Sequence, residues 1–119
     1  MFFGPHWPGP RERPMNPAKI SHAGNKYAED WLRRSGYEVK RHTEFPGGVE
    51  IEADHPSAKI LVHFRFCVFP ASLNPLTIDV VTGLKATASQ AGRRPYAATV
   101  ILSAKGELVR DPEWQTLPR

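Results

Sequence analysis

The sequence predicts an α/β sandwich built on one mixed sheet, with elements in the order helix, three strands, helix, strand. Three observations carry this. Tyr27, Trp31 and Leu32 recur at i, i+4 and i+5, the spacing of one helix face. Two consecutive stretches, 49–54 and 60–68, alternate with period two, as strands with unlike faces do. A near-continuous apolar run, 96–102, then follows a second helical pattern, which suits a strand buried on both faces.

Five of the chain's 12 prolines fall in the first 17 residues: Pro5, Pro8, Pro10, Pro14 and Pro17. Proline lacks a backbone donor and fixes φ, so residues 1–22 are expected to form a disordered, proline-rich arm. Phe2, Phe3 and Trp7 within it either pack loosely or make it a docking segment, for a protein partner or for the domain itself. The folded domain is expected over 23–110, with a C-terminal tail over 111–119.

Within the domain, the first helix is expected over 24–35. Ser21 or Asn25 can cap it, Lys26, Glu29, Asp30, Arg33 and Arg34 take its polar side, and Gly36 suits the αL position that ends it. Residues 37–43 read as a strand and Pro46-Gly47-Gly48 as a turn. Val49, Ile51 and Ala53 then alternate with Glu50, Glu52 and Asp54. After His55-Pro56-Ser57-Ala58, a hairpin connection, Ile60, Val62, Phe64, Phe66 and Val68 alternate with Leu61, His63, Arg65 and Cys67. Asn74-Pro75 opens a second helix over 76–91, capped by Thr77, with Ile78, Val81, Leu84 and Ala88 as its apolar stripe. Gly83 inside it costs ~1 kcal/mol against alanine, which implies either a weak helix or a close approach there. A short strand over 107–110 closes the domain. The first three strands form an antiparallel meander, and the second helix carries the crossover to a parallel last strand.

Composition narrows the functional classes. A chain of 119 residues, 40% hydrophobic and 24% charged, is one ordinary globular domain. The single cysteine, Cys67, excludes an intramolecular disulfide framework and a multi-cysteine zinc site, and is read as a buried small hydrophobe. No apolar run approaches the ~20 residues of a membrane helix, and the start lacks the basic and apolar regions of a secretory signal. A cytoplasmic protein without a membrane partner is the expectation. The 16 Lys+Arg against 12 Asp+Glu give a net charge of +4, which fits an anionic partner such as nucleic acid.

The polar side of the two alternating strands is the place for chemistry. If the hairpin pairs them on a common face, Glu50, Glu52, His63 and Arg65 gather in one patch. Magnesium and manganese take oxygen ligands, manganese also accepts imidazole, and a nearby cation steadies a scissile phosphate. The same alternation equally describes the solvated face of a half-exposed sheet, with Glu50 or Glu52 opposite Arg65 as a cross-strand pair worth about 0.2–1 kcal/mol.

Three stretches resemble the restriction-endonuclease-like (PD-(D/E)XK) superfamily, in particular the Mrr-like restriction endonucleases. Gly24-Asn25-Lys26-Tyr27-Ala28, Trp31-Leu32 and Gly36-Tyr37-Glu38-Val39 are similar to their first helix and strand entry. Gly48-Val49-Glu50-Ile51-Glu52-Ala53 resembles their Gly-[Val/Ile]-Asp-[Leu/Ile]-x-Ala strand, and Ile60-Leu61-Val62-His63-Phe64-Arg65 their Val-[Gln/Glu]-x-Lys strand. Ala98-Thr99-Val100-Ile101-Leu102-Ser103 matches the last core strand. The resemblance covers roughly 24–104. It implies a restriction-endonuclease-like three-layer sandwich that acts on DNA by metal-dependent phosphodiester hydrolysis.

Carried over position by position, the family's helix acid falls on the neutral Asn25, with Glu29 one turn along. The metal-binding aspartate falls on Glu50, the Gln/Glu position on His63 and the lysine on Arg65. Arginine can hold a phosphate but cannot serve as a base. The resemblance thus implies catalytic Glu50, His63 and Arg65 with Mg²⁺ or Mn²⁺ on Glu50 and His63, and the strand patch adds Glu52 to that metal set. By their charge, Lys26, Arg33, Arg34, Arg93 and Arg94 are either contacts to DNA phosphates or solvated helix and loop charge. With all four positions changed, the resemblance implies either a variant site or a domain that has lost hydrolysis and serves as a DNA-binding or protein-interaction module. Pairing into a homodimer is the family's habit and is an expectation here as well.

Overall fold

The computed structural model describes residues 16–115 and 117. The expected arm up to residue 15, with Phe2, Phe3 and Trp7, lies outside the described residues. The elements run α1 (Pro17–Arg34), β1 (Glu38–Phe45), β2 (Gly48–His55), β3 (Ala58–Val68), α2 (Ile78–Gln90), β4 (Arg94–Leu102) and β5 (Glu113–Gln115).

Helix α1 begins earlier than the apolar spacing predicts, so residues 17–22 belong to the fold and not to an arm. Asn16 is the cap: its Oδ1 accepts from the Lys19 amide at 2.9 Å. Pro17 sits in the first turn, where a missing N–H costs nothing and a fixed φ helps. Ile20 and Ala23, one turn before the predicted start, already pack against the core. The other end follows the expectation. Gly36 adopts φ +91°. Its amide donates to the Arg33 carbonyl at 3.0 Å, and that of Tyr37 to Leu32 at 2.9 Å, the paired bonds that stop a helix at an αL residue.

The sheet order is β1-β2-β3-β4-β5. β1, β2 and β3 form the predicted antiparallel meander, and β4 joins β3 in parallel through the α2 crossover. β5 adds antiparallel to β4 and corrects the reading of residues 111–119 as a tail. Of the strand expected over 107–110, an isolated bridge from Leu108 to Leu102 is formed. A three-residue strand is too short to show alternation, and β5 is held by an aromatic anchor instead. The Trp114 ring lies 6.0 Å from that of Phe64 and 6.2 Å from that of Tyr96. Together with Trp31 and Tyr37 it lines an open apolar groove of about 410 Å³.

The two faces of the sheet carry separate cores. On one, Ala28 and Leu32 of α1 pack against Val49, Ile51, Ala53, Ile60, Val62, Phe64, Phe66, Ala98, Val100 and Leu102. On the other, Leu84 and Ala88 of α2 pack against Leu61 and Ala97. β3 and β4 are therefore covered on both sides, as the apolar run 96–102 predicts. Ile78, placed in the stripe of α2 by spacing, is 70% exposed.

The two helical glycines have opposite surroundings. A Cβ on Gly24 would lie 2.5 Å from the Phe66 ring, whereas one on Gly83 would meet nothing within 4 Å. Gly83 is thus a weak point of α2 and not a close approach. Gly24→Ala is expected to destabilise the fold by about 1–3 kcal/mol, because α1 must lift off the sheet. Gly83→Ala is expected to stabilise it by about 0.4–1 kcal/mol. Urea unfolding of the two variants checks both signs.

Candidate functional site

Strand register builds the site. Directly paired residues share a sheet face, so Thr43, Glu50, His63, Ala97 and Gln115 form one row across the five strands. Phe45, Gly48, Arg65, Thr99 and Glu113 form the next. This is the face that α2 covers at Leu61 and Ala97. The expected common face of Glu50, Glu52, His63 and Arg65 is what the register gives. Their contacts divide them.

Glu50 and His63 form a pair. The Nδ1–Oε2 distance is 2.8 Å, with the side chains 28% and 9% exposed respectively. An ionised carboxylate can only accept, so the proton of this contact sits on Nδ1 and Nε2 remains the ring's second functional atom. The Phe45 ring stacks on the imidazole at 4.5 Å and 14°. Gly48 makes room for it, because a Cβ there would strike both the Phe45 ring and the Phe64 carbonyl.

Glu52 is drawn away by Arg93. The Arg93 Nε lies 3.2 Å from Glu52 Oε1, and Nη1 donates to Asp54 Oδ1 at 2.6 Å. Nη1 also faces the carbonyls of Ala53 at 3.1 Å and Ile60 at 3.4 Å. This guanidinium, 11% exposed, ties the start of β4 to β2 and β3. Its hydrogen bond holds the Asp54 carboxyl below the usual value of 3.8, against the opposing effect of burial.

Arg65 points to a third set of partners. Its Nη1 donates to the Asn74 carbonyl at 2.7 Å, while Nε is buried without a partner. Burial pulls the Arg65 pKa down.

As placed, Glu50, Glu52 and His63 do not converge on a point, and no group of three or more His, Cys, Asp or Glu able to hold a metal ion is found among the described residues. Asn25 and Glu29 belong to α1, which packs on the opposite face. There Glu29 meets His42 Nδ1 at 3.1 Å and Arg33 at 3.0 Å.

The residues expected at DNA also separate. Lys26 and Arg94 are exposed and make no ion pair among the described residues. Arg33 is held by Glu29 and Asp30, and Arg34 lies 5.8 Å over the Trp31 ring. Arg93 is committed to its clasp. Sequence reasoning did not find this clasp, the Phe45 stack or the bond from Gln115 Nε2 to Thr99 Oγ1 at 2.9 Å. A signal for the clasp does exist: Glu52 and Asp54 share a strand face, and an arginine stands at the entry to the strand parallel to β3. Phe45 and Gln115 carry none.

Arg93→Met keeps the apolar stem and removes the fork. It is expected to cost about 1–3 kcal/mol, the penalty for buried acceptors left unmade. The folded Asp54 pKa is depressed, so its contribution is present above the unfolded value of 3.8 and is lost as pH falls through the lower folded value. Unfolding free energy measured from neutral pH into acid should drop in the wild type and show a shallower acid limb in Arg93→Met.

The chain matches no protein-family model and no curated protein.

Proposed function

We propose that the chain is a restriction-endonuclease-like domain that binds DNA and whose hydrolytic positions are now taken up by internal contacts. The observation that carries this reading is the engagement of those positions. Glu50 is bound to His63 at 2.8 Å, Arg65 to the Asn74 carbonyl at 2.7 Å, and Glu52 to Arg93 at 3.2 Å. The net charge of +4 and the exposed Lys26 and Arg94, without an ion pair among the described residues, support an electrostatic contact with phosphates. Specificity for a sequence or a modification has no dedicated element in this reading, and partners supply it.

A second reading, a metal-dependent deoxyribonuclease, is favoured by the Glu50–His63 pair itself. A carboxylate hydrogen-bonded to an imidazole orients the ring and leaves Nε2 outward. Mg²⁺ or Mn²⁺ would there offset charge on a phosphate, with Arg65 beside it.

Fluorescence anisotropy with a short duplex tests the first reading. Binding is expected to weaken steeply with salt. Lys26→Glu and Arg94→Glu should each lower the salt slope by about 1, and Glu50→Gln should leave affinity unchanged. Supercoiled plasmid incubated with either metal should stay intact. Cutting that disappears in Glu50→Gln would install the second reading, and no binding at low salt would remove DNA altogether.

A further inference from the structure

On the same sheet face as the Glu50–His63 pair, β3, β4, β5 and the chain over 69–73 line a half-open pocket of about 220 Å³. Its lining includes Arg65, Cys67, Ser72, Thr99, Arg110 and Gln115. The charges in this wall do not balance. Arg110 is neutralised by Glu113, with Nη2 at 2.7 Å and Nε at 3.2 Å from the same carboxylate oxygen. Arg65 makes no ion pair among the described residues. One carbonyl takes its Nη1, and its Nε is buried with nothing to donate to. A desolvated guanidinium normally has a counter-charge, because leaving it unpaired is costly.

Two neutral groups add to the pattern. Thr99 Oγ1 accepts from Gln115 Nε2 at 2.9 Å, so its own proton is left to donate. Gln115 Nε2 also faces the Glu113 carbonyl at 3.3 Å, which fixes the amide's orientation. Its Oε1 is thereby turned to a buried position without a donor. The Cys67 thiol gives its proton to the Ala71 carbonyl at 2.7 Å, and burial raises its pKa, so it remains uncharged and does not repel an anion.

Arg65 Nε and Gln115 Oε1 are sealed from solvent as placed, so an occupant of the pocket meets the outer guanidinium of Arg65 and the Thr99 hydroxyl that Gln115 positions. It must bring negative charge and acceptors, and the tetrahedral oxygens of a phosphate suit donors arriving from different strands. We propose that this pocket is a phosphate-binding site formed by Arg65 and Thr99, with Gln115 positioning the Thr99 hydroxyl, which takes free phosphate or the terminal phosphate of a nucleic acid. The site does not rest on the DNA-binding reading, since a pocket of this size takes one phosphate and not a duplex groove.

The test is a titration of the full chain with inorganic phosphate, followed by NMR of the Arg65 Nε–H, the Thr99 amide and the Gln115 side-chain amide. A parallel titration uses an end-phosphorylated single-stranded oligonucleotide and its dephosphorylated twin. Saturable shifts confined to these groups are expected. Arg65→Gln and Thr99→Val should each weaken binding about tenfold or more, the loss of one charge-assisted or neutral hydrogen bond to a charged group. Thr99→Val keeps the proposal testable if Arg65→Gln fails to fold. A response to inorganic phosphate supports a free-phosphate site, and a response to the phosphorylated oligonucleotide alone supports a nucleic-acid terminus. No response to either probe overturns the proposal, as does binding that survives both substitutions or that follows Lys26 and Arg94. Failure of duplex binding with phosphate binding intact would remove the DNA reading and leave this site standing.

Discussion

The burial of β3 and β4 on both faces is the constraint to which the other elements answer. Parallel strands cannot be joined by a tight turn, so the chain must leave the sheet after β3 and return over it as α2. α1 then covers the side that carries Phe64, Val62 and Val100. α2, at 13 residues, meets the opposite side at Leu61 and Ala97. His63, Arg65 and Thr99 lie on that same side of the two strands, and α2 buries Val81, Leu84 and Ala88. A central strand thus carries an imidazole and a guanidinium on the side of the sheet that the crossover helix covers.

Polar groups in such a position need partners, and the structure supplies them unevenly. Glu50 and His63 satisfy one another across the β2–β3 ladder. Glu52 and Asp54, two residues apart on one face, would repel if left alone. Arg93 answers both with a single planar fork and reaches two backbone carbonyls as well. A lysine there would offer a point charge and could not bridge the two acids in a fixed geometry. The clasp thus ties Glu52 to Asp54 and not to Glu50.

Much of this was legible in the sequence. Period-two alternation in β2 and β3 shows which residues share a face but not which lie opposite: Glu50 or Glu52 is expected across from Arg65, whereas the register puts Gly48 there, His63 opposite Glu50 and Leu61 opposite Glu52. The apolar run of β4 announced a strand covered on both sides. What escaped has physical reasons. Pro17 reads as a breaker in a proline-rich stretch and as a favoured first-turn residue after Asn16, and spacing alone does not choose between the two. β5 is three residues long and is held by contacts of Trp114 with rings distant in sequence. Arg93 stands among adjacent basic residues whose charge suggests a solvated patch. Only its distance to Glu52 and Asp54, set by the parallel register of β3 and β4, distinguishes it from Arg94 next door.

Arg65 and Arg93 show how far a residue type falls short of a role. Both approach the same sheet face, and both are more than half buried. Arg93 meets two carboxylates and two carbonyls, so its charge is spent on holding three strands together. Arg65 meets one carbonyl, and its burial is opposed by nothing within the described residues. In a protein interior a charge of the first kind is architecture, whereas one of the second kind is a cost that the fold bears without return unless something outside the chain relieves it. By this criterion the binding capacity of the polar face lies at Arg65 and the pocket it borders.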